Sequence, residues 1–173
     1  MKNIRIVLCG LGNVGKSFVE LVADRAADIE ARYGLRLKLS AAVDVGGAAA
    51  SDIPEGLPAK ELLAHLRGGG RVESLVPFGQ PGMSVIDAIQ AGGDVLVEAT
   101  PTNLTDGQPA RSHIEAALRK GMQVVSANKG PIVLAYKSLA DLARQHGGGL
   151  HISAATAAAL PTLDVARVCL AGT

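Results

Sequence analysis

The sequence predicts an α/β protein built on a doubly wound parallel sheet with helices on both faces. Three observations lead there. Short apolar runs alternate with amphipathic stretches along most of the 173 residues. A glycine triplet stands directly between the first apolar run and the first amphipathic stretch. The composition is 48% hydrophobic, enough for a proper core without disulfides, and that apolar content is mostly Ala, Val, Leu and Ile. Strands that alternate with helices are joined by crossovers, which makes the strands parallel and covers both faces of the sheet.

The elements follow in order. "IRIVLC" is a short apolar run that ends in glycine, as a buried strand does. From Val14 the apolar residues Val14, Phe18, Leu21, Val22 and Ile29 fall at helical spacing, with Arg25, Asp28 and Arg32 opposite, and Gly34 is the stop. "LRLKLSAAVD" is the second strand and ends in Asp44. Residues 46–56, rich in Gly, Ala, Ser and Pro, read as a loose connection. A helix over residues 58–67 is closed by "GGG", and another over residues 84–91 precedes the buried strand "DVLVEAT". "PARSHIEAALRKGM" is a helix with proline early, basic residues late and glycine at its stop. "QVVSA" is a strand, residues 131–146 are a helix, and "LHIS" is the last strand. The alternation breaks near Ser153, where an alanine-rich helix begins that Pro161 kinks or restarts. The expected division is a dinucleotide-binding domain over residues 1–153, with residues 154–173 as the entry to a further domain. The ending "CLAGT" reads as a cut.

Composition excludes several classes. Aromatic residues are few (Phe18, Tyr33, Phe78 and Tyr136), which leaves no stacking platform for single-stranded nucleic acid. The 17 basic and 16 acidic residues nearly cancel and form no basic run, so neither nucleic acid nor an anionic membrane is the expected partner. Cys9 and Cys169 lie at opposite ends, and His65, His113, His146 and His151 are scattered, which counts against a zinc site; no metal ligand is expected. The sequence shows neither a secretory leader nor an apolar run of membrane-spanning length, so the expected home is the cytoplasm, with both thiols reduced.

The glycine loop carries the first chemistry. In "GLGNVG", Gly10 permits a tight turn, Gly12 lets backbone approach a pyrophosphate, and Gly15 lets the helix pack closely on the strand. Leu11, Asn13 and Val14 complete the loop, and the helix N-terminus offers free N–H groups to phosphate. In this strand-turn-helix context the loop predicts a Rossmann-type dinucleotide site rather than an ordinary turn. Asp44, at the end of the second strand, is placed to hold ribose hydroxyls, the alternative being a strand-end turn residue. An acid there repels a 2′-phosphate, and Val45-Gly46-Gly47 supplies no arginine, which favours NAD over NADP. Lys60 and Arg67 are the cations that could reach that area.

Ligands of such sheets bind beyond the carboxyl ends of the strands. Two further segments end there: "EATPTN", with Thr100, Pro101, Thr102 and Asn103, and "SANKGP", with Asn128 and Lys129. The threonines and proline would line the nicotinamide side. A positioned ammonium at Lys129 can bond a substrate oxygen and relay its proton during hydride transfer, with Asn128 orienting it. The alternative is a solvated lysine beside a helix start.

"GLGNVG", the strand ending "VDVGG", "EATPTNLTDGQPARSHIEAALRKGMQVVSANKGP" and "SAATAAALP" together resemble the nucleotide-binding domain of homoserine dehydrogenase, over residues 5–161. The resemblance implies an NAD(P)-dependent interconversion of homoserine and aspartate 4-semialdehyde, on the route to threonine, methionine and isoleucine. It implies a catalytic role for Lys129 and cofactor contacts from the glycine loop and "TPTN". Members of the family continue into a substrate domain with an "NGTxNYI" segment, acidic ligands and a second catalytic lysine. They also often carry glutamate where Ser153 stands, near a monovalent-cation site. The full-length protein is then expected to be a homodimer acting on a small molecule, and the 173-residue chain alone to be inactive on homoserine. Two other readings stay open: a stand-alone nucleotide-binding module, and a different semialdehyde or amino-acid dehydrogenase.

Overall fold

The computed structural model describes residues 1–157 together with Val165 and Cys169. The expected helix beyond Ala157, with Pro161, falls for the most part outside the described residues. The chain divides into two compact units, Met1–Thr100 and Pro101–Thr173.

The first unit is a five-stranded sheet in the order β4-β3-β2-β1-β5. Strand β1 (Lys2–Cys9) is followed by helix α1 (Asn13–Tyr33) and strand β2 (Leu35–Asp44), and β1 pairs parallel with both β2 and β5 (Val95–Glu98). The register between β1 and β2 shifts after Ile6, because Ser40 is an extra residue on β2. Its hydroxyl donates to the Ile6 carbonyl at 3.1 Å, so the acceptor exposed by the bulge is satisfied.

Side chains alternate across β1. Ile6 and Leu8 enter a cluster with Leu39, Val97, Val19 and Val22 of α1, and Leu62, Leu63 and Leu66 of α2 (Ala59–Arg67). Val7 and Cys9 point the other way and are equally buried. Helix α3 (Val85–Ala91) packs on β1 and β2 outside that cluster, with Ser84 capping it through a reciprocal bond with Asp87. Burial on both faces is why β1 reads as a continuous apolar run.

Two expectations are corrected here. The loose connection contains a strand, β3 (Gly47–Ala50), antiparallel to β2, and a further short strand, β4 (Gly79–Pro81), is antiparallel to β3. The strands β1, β2 and β5 are parallel as expected, and β3 and β4 add an antiparallel edge. A 3₁₀ turn, Val72–Ser74, precedes β4. On α1 the buried residues are Gly15, Val19 and Val22, whereas Val14 and Leu21 are exposed. The helix turns its small Gly15 to the strand because its first turn lies closest to the β1 loop.

In the second unit, α4 (Ala110–Arg119) and α5 (Lys129–His146) pack on each other and on the parallel pair β6 (Gln123–Ser126) and β7 (Gly149–His151). Ile114, Leu118, Val124 and Leu139 form its buried centre. Helix α5 starts at Lys129, two residues before the expected Pro131, and a short α6 (Ser153–Ala157) follows β7.

Candidate functional site

Three glycines shape the turn after β1, each in a different way. Gly10 lies at φ +87°, and a Cβ there would sit 2.6 Å from the Ala99 carbonyl carbon and 2.7 Å from the Thr100 nitrogen. A Cβ on buried Gly15 would collide with the Gly10 carbonyl oxygen. Around Gly12, by contrast, a Cβ would meet nothing within 4 Å. Two of the glycines are thus demanded by packing, and the middle one borders open space.

Gly12 is also the N-cap of α1, where it makes no side-chain cap bond and no acid stands in the first turn. The first N–H groups of a helix have no intrahelical partner, and its N-terminal partial charge is positive. Asn13 and Val14 are exposed beside it, while Leu11 is buried beneath. This is a place built to receive an anion along backbone rather than side chains.

Asp44 ends β2 and lines a cavity of about 300 Å³ with Leu11, Lys16, Gly46, Arg71 and Glu73. Its Oδ1 accepts from the Val45 N–H at 3.0 Å. The sequence reading missed Arg71, which comes from the loop after α2. Of the cations it named instead, Arg67 is bonded to Glu20 of α1 at 2.7 Å, and Lys60 does not line the cavity.

The end of β5 holds a buried carboxylate. Glu98 is fully buried, and its Oε1 accepts from the Thr100 N–H at 2.9 Å and from the Thr100 hydroxyl. Its Oε2 accepts from the Cys9 thiol at 3.1 Å. Burial pushes the Cys9 thiol well above its usual pKa, and the Glu98 charge adds to the shift. Cys9 is consequently a packed donor rather than a nucleophile. Thr100 is oriented by Glu98 through two of its own donors.

In the second unit, Pro101, Thr102 and Asn103 lead into a loop that Asn103 ties together. Its amide Nδ2 donates to Asp106 Oδ1 at 2.8 Å and to the Gln108 carbonyl at 3.1 Å, and its Oδ1 accepts from the Thr105 N–H at 2.9 Å. Thr102 is exposed. Asn128, 1% exposed, caps α5 by accepting from the Gly130 N–H at 3.0 Å and donates from Nδ2 to the Pro101 carbonyl at 3.1 Å. Ser126 closes the same turn, its hydroxyl accepting from the Asn128 N–H at 3.2 Å. A Cβ on Gly130 would strike the Asn103 carbonyl oxygen. The structure therefore brings residues 101–103 and "SANKGP" together within the second unit.

Lys129 stands apart from this lattice. It is exposed, it is the first residue of α5, and no hydrogen bond or ion pair holds its ammonium among the described residues. A cation at a helix N-terminus is repelled by the helix dipole. The chain places a charge there at a small electrostatic cost and fixes the backbone under it on both sides.

The family described as homoserine dehydrogenase, NAD-binding domain, matches residues 10–153. The chain belongs to this family. A homoserine dehydrogenase of Methanocaldococcus jannaschii is 33% identical over 96% of the chain and 49% of its own length. An NAD(+)-dependent homoserine dehydrogenase of Pseudomonas canavaninivorans is 30% identical over 99% of the chain and 49% of its own length. The chain thus spans about half the length of the curated relatives it matches.

Solved structures agree on the fold. A hyperthermophilic archaeal homoserine dehydrogenase in complex with NADPH superposes with a TM-score of 0.84 at 23% identity, covering 99% of this chain and 50% of that one. A putative homoserine dehydrogenase from Archaeoglobus fulgidus gives 0.80 at 28% identity, covering 97% and 48%. The Rossmann-type α/β class is accordingly that of homoserine dehydrogenase NAD-binding domains. No described helix is long and apolar enough to cross a membrane.

Proposed function

We propose that this chain is the coenzyme-binding part of a homoserine dehydrogenase that interconverts homoserine and aspartate 4-semialdehyde in threonine and methionine biosynthesis, acting in the cytoplasm as a homodimer. The observation that carries the reading is the glycine turn of the first unit: packed at Gly10 and Gly15, open at Gly12, with an uncapped helix start behind it. These residues fit a dinucleotide. The N–H groups at Gly12, Asn13 and Val14 receive the pyrophosphate, Leu11 and Gly15 hold the turn beneath it, and Asp44 accepts from the ribose hydroxyls.

In the second unit, Thr102 and the peptide edges of Pro101 and Asn103 face the nicotinamide side. When bound, the nicotinamide supplies the hydride donor or acceptor. Asn128 fixes the turn from which Lys129 projects, and the Lys129 ammonium bonds the substrate oxygen. In reduction the ammonium gives a proton to the carbonyl oxygen as carbon gains hydride and is left as the neutral amine; in oxidation the neutral amine takes up the hydroxyl proton as the hydride leaves carbon and becomes the ammonium. Residues 1–153 form the dinucleotide-binding domain, and residues 154–173 lead into the substrate domain. Asp44 favours NAD over NADP, in keeping with the name of the Pseudomonas relative.

The test has two readings. Isothermal titration of the protein with NADH is expected to show one site per chain. Homoserine-dependent NADH formation is expected from the complete enzyme. Binding without turnover in the complete enzyme would leave a nucleotide-binding module, and absence of binding would remove the proposal.

A further inference from the structure

The cavity beside Asp44 is electrically balanced: Lys16 and Arg71 line it together with Asp44 and Glu73. Glu73, in the 3₁₀ turn, has a side chain only 13% exposed and forms an ion pair with the Nε of Arg71, whose own side chain is 71% exposed. The anion is the anchored partner, and the guanidinium lies at the rim. Arg71 is also fixed through its backbone, since its carbonyl accepts from the Ser74 hydroxyl at 2.7 Å and lies 2.9 Å from His65 Nε2. Gly46, in the turn after Asp44, leaves room for the pair. A Cβ there would collide with both the Arg71 guanidinium and the Glu73 carboxylate. The two side chains therefore lie over the turn that carries Asp44.

NAD and NADP differ at this end only in the group on the adenosine ribose. A diol suits a carboxylate acceptor, whereas a 2′-phosphate, close to doubly charged, needs an unspent cation. Asp44 has one oxygen bonded to its own neighbour's N–H and, among the described residues, the other without a partner. Arg71 is the cation nearest in kind to a phosphate receptor, because its planar fork matches phosphate geometry. Its charge is offset by Glu73.

We infer that Glu73 is a specificity-determining residue: by holding and neutralising Arg71, it leaves Asp44 to govern the ribose end and disfavours a 2′-phosphate. The inference rests on the coenzyme reading above. Glu73→Gln keeps the shape of the side chain and frees the guanidinium. NADPH affinity is expected to rise about tenfold, the worth of one charge-assisted bond, while NADH affinity changes less than about threefold.

The experiment is calorimetric titration of the protein and its variants with NADH and with NADPH. Arg71→Ala in the Glu73→Gln background is expected to abolish the gain. Arg71→Ala alone is expected to leave NADPH affinity unchanged. If Glu73→Gln leaves the NADH-to-NADPH ratio as it was, the inference is overturned. It is equally overturned if Arg71→Ala alone weakens NADPH, since Arg71 would then already serve the phosphate. Failure of both coenzymes to bind the unmodified protein would overturn the coenzyme reading itself, a result distinct from an unmoved ratio.

Discussion

The turns that follow β1 and β6 are built by opposite means. The turn after β1 is made by what is missing: Gly10 and Gly15 pack backbone on backbone, and no side chain caps α1. The turn after β6 is made by side chains. Asn128 caps α5 and grips the Pro101 carbonyl, Ser126 closes the loop, and Asn103 ties down the neighbouring segment. The first turn thereby presents N–H groups suited to an anion, and the second presents an ammonium, unpaired among the described residues, on a hydrogen-bonded base. A backbone site recognises a charge shared by all its ligands; a side chain held in place can act on one atom of one substrate.

The contrast can be broken at either turn. The largest effect is expected from Gly12→Val. The side chain enters open space at an ordinary negative φ, so the melting temperature should hold while NADH binding falls below calorimetric detection; unchanged affinity would take the pyrophosphate away from this turn. Gly15→Val should do the reverse in kind, forcing a branched side chain against the Gly10 carbonyl at a cost of about 3 kcal/mol or more, read by urea unfolding.

At the second turn, Lys129→Ala in the complete enzyme is expected to lower turnover by ~10² or more and to spare coenzyme affinity. Because it removes a cation from a helix N-terminus, stability should hold or rise by about 0.5 kcal/mol. Normal turnover would remove Lys129 from the chemistry. The smallest effect, about 1–2 kcal/mol, is expected from Asn128→Ala, which loses a cap and leaves the Pro101 carbonyl short of a donor. Unfolding at the wild-type denaturant midpoint would show that the cap does not support the turn.

How much of this could be read from the chain depends on where the information lies. The strand "LRLKLSAAVD" has the bounds that the sequence indicated, because its apolar run and the glycine at its head are local signals. The glycine turn and the meeting of residues 101–103 with "SANKGP" were visible for the same reason: they rest on residue types that do little else. The strand "GAAA" was not visible, since alanine and glycine carry low strand propensity, and β3 exists through its pairing with β2 and β4. Arg71 was missed because it meets the turn after Asp44 only once α2 and the loop beyond it have folded. Val14 was assigned to the buried stripe from its spacing alone, which cannot show that the helix begins on Gly15.

The outer strand of the first unit, β4, has one more consequence. It is three residues long and ends in Pro81, which has no N–H to give. The Gly79 N–H is already bonded to the Leu75 carbonyl at 2.6 Å, so this edge of the sheet offers another chain no ladder of amides. A stable added strand needs several consecutive bonds, so edge-to-edge joining of copies stops here. The short antiparallel strand, invisible in the apolar pattern, thus closes this edge of the first unit's sheet to an added strand.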